Sequence, residues 1–528
     1  MLAAGTVASR VLGFVKVIVL TYAIAQFSAG ANSFQAGNQL PNNVYVIVAG
    51  GVLNAVLVPQ IIKSALHKDQ GRAYINKLLT LGMVILGVTT LAATLLAPVL
   101  VSISVSQFTP AQYELAVGFA YWCLPQIFFY GLYTLLGEIL NARNSFGPFT
   151  FAPLVNNVIS IAGIGIFIAM FGADHAGTRP AGAWTPEMIA VLGGTATLGV
   201  AGQALILFFF WRRIGLSFRP DFKWRGAGLG TAGRLAGWSF AMLVVTQLAG
   251  LVDTNVMSAA TDKDASLAVL ANAWLIFMLP HSIITVSIAT VYFTRMSEHG
   301  AAGRIREFIA DLSGSIRAIS LLIVLSAAVL LVVAFPFASL FTDSYREMID
   351  MGLVIMAYTL GMLPFSLVFL LQRAFYAFDD TRTPFYFTLF QAIVFSVCAV
   401  LCGLLLPTSQ LAIGMAISQS ISSLLQFAAG VFLLRRRLHD IDLPRILTSL
   451  VRYGIAAIVT LAAGILVLLA FGGVSSGAFW VSNSVSSIIT MVVIGLAMSV
   501  VYLGILRLVR TPELADALDP FVKRLRRR

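Results

Sequence analysis

Charge is scarce in this chain. Of its 528 residues, 11% are Asp, Glu, Lys or Arg, where a soluble domain carries about 25%. Histidine and cysteine are also few, five and three residues. His67, His175, His281, His299 and His439 are scattered and form neither a His-Glu-x-x-His pair nor a ligand cluster. Cys123, Cys398 and Cys402 all fall in apolar runs. They offer no extracellular disulfide framework and no metal-ligand spacing, and they read as small packing residues. No Gly-x-x-x-x-Gly-Lys-Ser/Thr loop occurs, which argues against an ATPase. Clustered loop carboxylates or histidines, which a membrane enzyme acting on polyprenyl phosphates would need, are missing too. The residues therefore point away from an enzyme. The first apolar run holds a lysine and lacks a small-residue cleavage site, so it is expected to persist as a helix.

What is present is hydrophobic length. Hydrophobic residues make up 59% of the chain, and apolar runs of about 20 residues repeat along it, each long enough to cross a bilayer as a helix. The expected fold is an all-α polytopic membrane protein with about 14 transmembrane helices. The net charge of +12 does not point to nucleic acid, because Lys and Arg cluster in alternate loops. Lys63, Lys68, Arg72 and Lys77 follow the second span, and Arg212 to Arg234 lie between the sixth and seventh. Arg435, Arg436 and Arg437 follow the twelfth. Intervening loops hold only Arg179, Lys263 and Arg346. This pattern predicts cytoplasmic termini in a plasma membrane.

The basic, glycine-rich loop 213–233 divides the chain into an N-terminal lobe (1–212) and a C-terminal lobe (234–440), six spans each. Asn141-Ala142-Arg143…Pro148-Phe149 echoes Tyr376-Ala377…Pro384-Phe385, and Leu40-Pro41 echoes Leu279-Pro280. Such echoes suggest two repeats related by a pseudo-twofold axis along the membrane normal. Residues 441–510 add two further spans. The basic tail 511–528 reads either as an interfacial helix or as a disordered segment.

Charged and amide side chains inside spans are the candidate functional residues, because they are expensive at membrane depth. Arg10 and Lys16 lie in the first span, Asp253 in the seventh, with Asn255 beside it. Arg10 lies three residues before Gly13, where a glycine permits close helix approach; Lys16 has the open alternative of snorkelling to headgroups. For Asp253 the alternatives are a cavity acid or ion-coupling site and a structural pair with a cation such as Arg10. Glu138 has Arg143 as a local partner. Asp380 reads as a cap or turn residue with Arg373 nearby, and as a candidate coupling acid. Asn32, Asn42, Asn54 and Asn272, like Asn156 and Asn157, are either interhelical glue or substrate contacts. A cationic cavity suits an anionic substrate, since arginine matches phosphate geometry.

Ser9-Arg10-Val11-Leu12-Gly13-Phe14 with Lys16, Leu40-Pro41-Asn42, Asn54 and Val58-Pro59 resemble the start of the MurJ/MviN family. The resemblance continues through Leu140-Asn141-Ala142-Arg143 and Phe375-Tyr376-Ala377 with Asp380-Thr381-Arg382-Thr383-Pro384. It implies a lipid II flippase of the multidrug/oligosaccharidyl-lipid/polysaccharide exporter superfamily, serving peptidoglycan synthesis, cell-wall biogenesis and cell shape by alternating access. It implies that Arg10 and Lys16 meet the pyrophosphate and that 441–510 form a groove for the lipid tail; Asn32, Asn42, Asn54 and Asn272 are substrate-binding candidates from their place in the spans alone. No cofactor is implied beyond a coupling cation (Na+ or H+) or the membrane potential. Implied partners are lipid II, membrane lipids and cell-wall synthesis proteins. The sequence departs from the family at Asn43-Val44-Tyr45-Val46, where a pair of arginines is expected, at Asn32, where an acid is common, and near Trp274-Leu275, where an arginine is expected. These departures resemble flippases of high-GC Gram-positive bacteria. The competing function is a cation-coupled multidrug exporter, or an exporter of another polyprenyl-linked oligosaccharide, from the same superfamily.

Overall fold

A computed structural model of the chain describes residues 2–49, 72–143, 145–213, 218–222, 237–260 and 264–514. Every regular element among them is helical. Eleven helices or continuous helical runs are long and apolar enough to cross a membrane, twelve with one bent pair included. Helices α1 (Leu2–Ile24) and α2 (Ala29–Val48) are 23 and 20 residues long, and α2 is the more polar of the two. At about 1.5 Å per residue both also have span length. The chain divides into two compact units, 1–268 and 269–528.

The first unit continues with α3 (Arg72–Leu95), α4 (Ala97–Ser104), α5 (Pro110–Cys123), α6 (Gln126–Ala142), α7 (Phe146–Phe171), α8 (Pro186–Arg213) and α9 (Gly237–Met257). Local chemistry sets the starts. Ser28 accepts a hydrogen bond from the Ala31 N–H at 3.0 Å and caps α2. Thr109 and Gln112 form a reciprocal capping box at α5, with Pro110 in its first turn. Helix α7 lies between α1 and α8, and α2 lies on α5. Two apolar clusters hold these layers, one around Leu86, Leu136 and Trp211, the other around Phe34, Phe119, Phe167 and Trp184.

The second unit contains α10 (Leu267–Pro280), whose first two residues still belong to the first unit, α11 (Val286–Ala301), α12 (Ile305–Ala338), α13 (Tyr345–Leu360), α14 (Met362–Tyr376), α15 (Arg382–Leu405), α16 (Leu411–Leu438), α17 (Leu443–Ala470) and α18 (Ser484–Leu508). The 34-residue α12 is its central post, packed on α11, α13, α14, α17 and α18. Helices α13 and α14 meet at a 43° bend. Gly361 forms the joint; a Cβ there would lie 2.6 Å from the Ser420 Cα of α16, so only glycine fits. Between α10 and α11, Pro280 lacks an N–H to donate, and His281–Thr285 form a π-helical turn.

The boundary between the two units falls between Ala268 and Val269, and α9 packs on α2 and α4 of the first unit. Within the basic loop 213–233, Arg219 N–H donates to Asn76 Oδ1 at 3.3 Å and Asp221 N–H to Thr80 Oγ1 at 3.0 Å, tying 218–222 to α3.

Candidate functional site

Helix α1 carries the cations of the first unit. It docks on α7 beside Asn157: a Cβ on Gly13 would stand at an ordinary contact distance of 3.5 Å from the Asn157 Nδ2, and the same amide donates to the Ser9 carbonyl at 2.9 Å. With about 100° per residue, Arg10 and Lys16 lie roughly 60° to either side of the Gly13 line. Both side chains are half-buried. The Lys16 ammonium makes no hydrogen bond or ion pair among the described residues, an exceptional situation for a charge in a span.

The amides of neighbouring helices are engaged. Gln126 donates to Asn38 Oδ1 at 3.0 Å and Thr197 Oγ1 at 3.1 Å, joining α6, α2 and α8. Asn156 donates to Gln203 Oε1 at 3.0 Å across α7 and α8. These bonds are the interhelical glue expected of span amides. Tyr45 shares a short hydrogen bond with Thr134. Glu138, four residues after Thr134 on α6, is half-buried and forms no ion pair with Arg143.

Asn32 is buried, and its Oδ1 accepts from Ser266 Oγ at 2.6 Å and from the Ala268 N–H at 3.2 Å. It therefore satisfies an open donor in the first turn of α10. Asn42 is exposed on α2, and the neighbouring Asn43 carbonyl accepts from Gln247 of α9 at 3.2 Å. Asn54 lies outside the described residues. Asn272 is half-buried on α10.

Asp253 sits on α9 between Ala249 and Met257, both buried one helical turn away. It is half-buried and makes no hydrogen bond or ion pair among the described residues, with Arg10 or any other. Asn255 points roughly 160° away around the helix and is spoken for: its Nδ2 donates to Ser106 Oγ at 3.0 Å and Ile103 O at 3.2 Å. It holds α9 against the end of α4. In the second unit, Asp380 accepts from Thr383 N–H at 2.9 Å and from Thr383 Oγ1 at 2.8 Å, and pairs with Arg437 at 2.7 Å. The cap role is present, but its cation is Arg437. Arg373 instead lies over Phe369, 4.9 Å from the ring centroid.

Sequence reasoning passed over two features. One is the π-helical turn, where buried His281 meets Ser366 at 3.1 Å and packs on Phe365; Leu279-Pro280 was the available signal. The other is a buried pair between Arg317 of α12 and Glu513, which follows α18. No three His, Cys, Asp or Glu among the described residues cluster to hold a metal.

Residues 26–490 match the model of the family described as lipid II flippase MurJ. The chain is similar to proteins described as "Probable lipid II flippase MurJ" from Borreliella burgdorferi (24% identical, covering 84% of each chain) and Rhizobium meliloti (26%, covering 87% of this chain and 84% of the relative). The one from Haemophilus influenzae is 26% identical over 72% of this chain and 75% of its own. None of these relatives supports a placement among high-GC Gram-positive bacteria. Among solved structures, a lipid II flippase MurJ in an inward closed conformation has a TM-score of 0.72 at 17% identity, covering 95% of this chain and 98% of its own. An inward-facing MATE family multidrug transporter has a TM-score of 0.65 at 15% identity, covering 82% and 95%. These structural likenesses bear on the fold alone.

Proposed function

The chain belongs to the lipid II flippase MurJ family, and from that membership we infer that Arg10 and Lys16 of α1 receive the pyrophosphate of lipid II. It is a multi-pass bacterial membrane protein and a flippase, a transporter rather than an enzyme. The observation that carries the residue assignment is Lys16: a half-buried cation in a span, without a counter-charge among the described residues. An unneutralised cation is costly in a low-dielectric setting and is relieved by an anionic ligand. Arg10, held one residue beyond the Asn157–Ser9 bond, adds a planar donor fork for phosphate oxygens. A drug exporter for cationic substrates is disfavoured by the same two charges.

Asn32 serves to start α10 in this reading and is not a substrate contact, while Asn42 is open to one. Asp253 is the candidate coupling acid, for Na+ or H+, because it is the acid of α9 and has no hydrogen bond or ion pair among the described residues. The termini and the loop 213–233 face the cytoplasm, as the basic clusters favour. Helices α17 and α18 offer exposed apolar side chains, among them Ile458, Leu466, Leu496 and Val500, suited to the polyprenyl tail. Alternating access moves the headgroup outward, and cell-wall synthesis proteins are the partners that would supply and consume it.

The test is outward exposure of lipid II in cells depleted of their own flippase, with variants matched in membrane level. Arg10→Ala should lower flipping at least about tenfold, the value of one charge-assisted contact. Arg10→Lys should recover part of it, since lysine is a point charge. Full activity of Arg10→Ala would remove the pyrophosphate role.

A further inference from the structure

Helices α16 and α17 are consecutive, joined only by the link His439–Asp442, yet they do not pack along each other. Helix α16 packs on α13, α14 and α15, whereas α17 packs on α12 and α18. The link accomplishes this divergence with two left-handed residues, His439 (φ 64°) and Asp442 (φ 58°). A groove of about 880 Å³ opens between the two helices. Its walls are apolar: Leu424, Ala428 and Phe432 of α16, Leu447 and Leu450 of α17, and Ile316 of α12. At the link end the lining changes to Arg435, Arg436 and His439, with no acid among the lining residues.

The charges at that end are not consumed locally. Of the three consecutive arginines, Arg437 pairs with Asp380 at 2.7 Å. Arg435 and Arg436 have no hydrogen bond or ion pair among the described residues. Arg436 instead lies over the Phe432 ring, 4.8 Å from its centroid, which sets its guanidinium at the rim of the groove. Nearby acids are turned elsewhere: Asp440 accepts from the Asp442 N–H at 2.9 Å, and Asp442 accepts from Ser313 Oγ at 2.6 Å.

We propose that this groove is a binding site for an anionic phospholipid of the surrounding bilayer, its phosphate between Arg435 and Arg436 and its acyl chains along α16 and α17. An apolar channel ending in unneutralised guanidiniums is complementary to a molecule that is apolar along its length and anionic at one end. Bilayer phospholipid is the occupant because the groove opens sideways, along the exposed faces of Leu424, Phe432 and Leu447. The lipid fills the gap that the two diverging helices leave between the packing groups of the second unit.

The full-length protein is equilibrated in nanodiscs of equal phosphatidylglycerol and phosphatidylcholine, extracted, and its retained lipids counted by native mass spectrometry. Wild type should retain phosphatidylglycerol with a preference of about 25-fold, roughly fivefold for each of two cations. Arg435→Gln with Arg436→Gln should remove the preference. Ala428→Trp, at an exposed wall position, should fill the channel and reduce retention of both lipids, with helix content and melting temperature unchanged. Equal retention of the two lipids by wild type would overturn the proposal, as would a preference that survives loss of both arginines. Displacement by millimolar inorganic phosphate would reduce the site to an anion site. One-for-one displacement by a polyprenyl pyrophosphate would hand the groove to the transported lipid, and either result overturns the phospholipid assignment.

Discussion

The side-chain amide of Asn157 donates to the main-chain carbonyl of Ser9 across 2.9 Å, one residue before Arg10. A span carbonyl already engaged in its own helix takes a second donor here, next to Gly13, where a Cβ would stand at ordinary contact distance from the amide. The bond fixes where α1 sits on α7, and thereby where its cations sit.

Asn157→Leu should remove that bond and crowd the Gly13 approach. A loss of about 1 kcal/mol in stability is expected from the bond itself, with flipping reduced further because Arg10 loses its registration. Thermal unfolding in detergent, set beside lipid II exposure at matched expression, separates the two effects. Unchanged transport in the variant would mean that α1 holds its place without Asn157.

Lys16→Ala should be milder than Arg10→Ala if the ammonium only reinforces the anion, and Lys16→Glu should be as severe. Placing a carboxylate where a phosphate is to be received adds repulsion to the lost attraction. Equal activity of all three variants would assign Lys16 to the headgroup region instead.

Asp253→Asn keeps the shape of the side chain and removes its ionisable group. Transport should fall at least about tenfold with membrane level nearly intact, because no ion pair among the described residues is broken by the change. The measurement is lipid II exposure across Na+ concentrations and external pH. A variant that retains the wild-type dependence on both would take coupling away from Asp253.

Breaking the buried Arg317–Glu513 pair should be costly, about 3 kcal/mol for Glu513→Ala, since it strands a guanidinium that is 10% exposed. Arg317→Met combined with Glu513→Leu should recover most of that loss. Chemical denaturation of wild type and these two variants measures the difference. A Glu513→Ala variant as stable as wild type would show that the segment after α18 contributes nothing to the second unit.

Orientation is checked in a cysteine-free background. Lys263→Cys should react with a membrane-impermeant maleimide in intact cells, and Lys223→Cys should not. The opposite pattern would invert the topology.

The helical, many-span fold was readable because hydrophobic length and charge scarcity are local properties. So were the charges inside spans: Arg10, Lys16 and Asp253 stand out in any window of the sequence. Their partners were not readable. Asn32 bonds to Ser266 and Asp380 pairs with Arg437, pairings fixed by how helices stack rather than by spacing along the chain. Arg373 looked like the natural mate for Asp380 in sequence, but its guanidinium faces Phe369. The groove between α16 and α17 was hidden for the same reason, since two neighbouring apolar runs give no sign that they diverge.

The π-helical turn at His281–Thr285 has a bearing on how this gene tolerates change in length. A π turn closes its ring over five residues where an α turn uses four, so it stores one surplus residue. Deleting one residue elsewhere in α10 or α11 would rotate everything downstream by about 100° and turn apolar faces away from their neighbours. Deleting one residue within 281–285 would draw on the surplus instead, restoring a plain α-helix while the flanks keep their facing. Single-residue deletions scanned along 267–301 should therefore be lethal to folding nearly everywhere and survivable at this one turn, and the survivors would reveal whether the irregularity at mid-helix is needed for transport or only inherited.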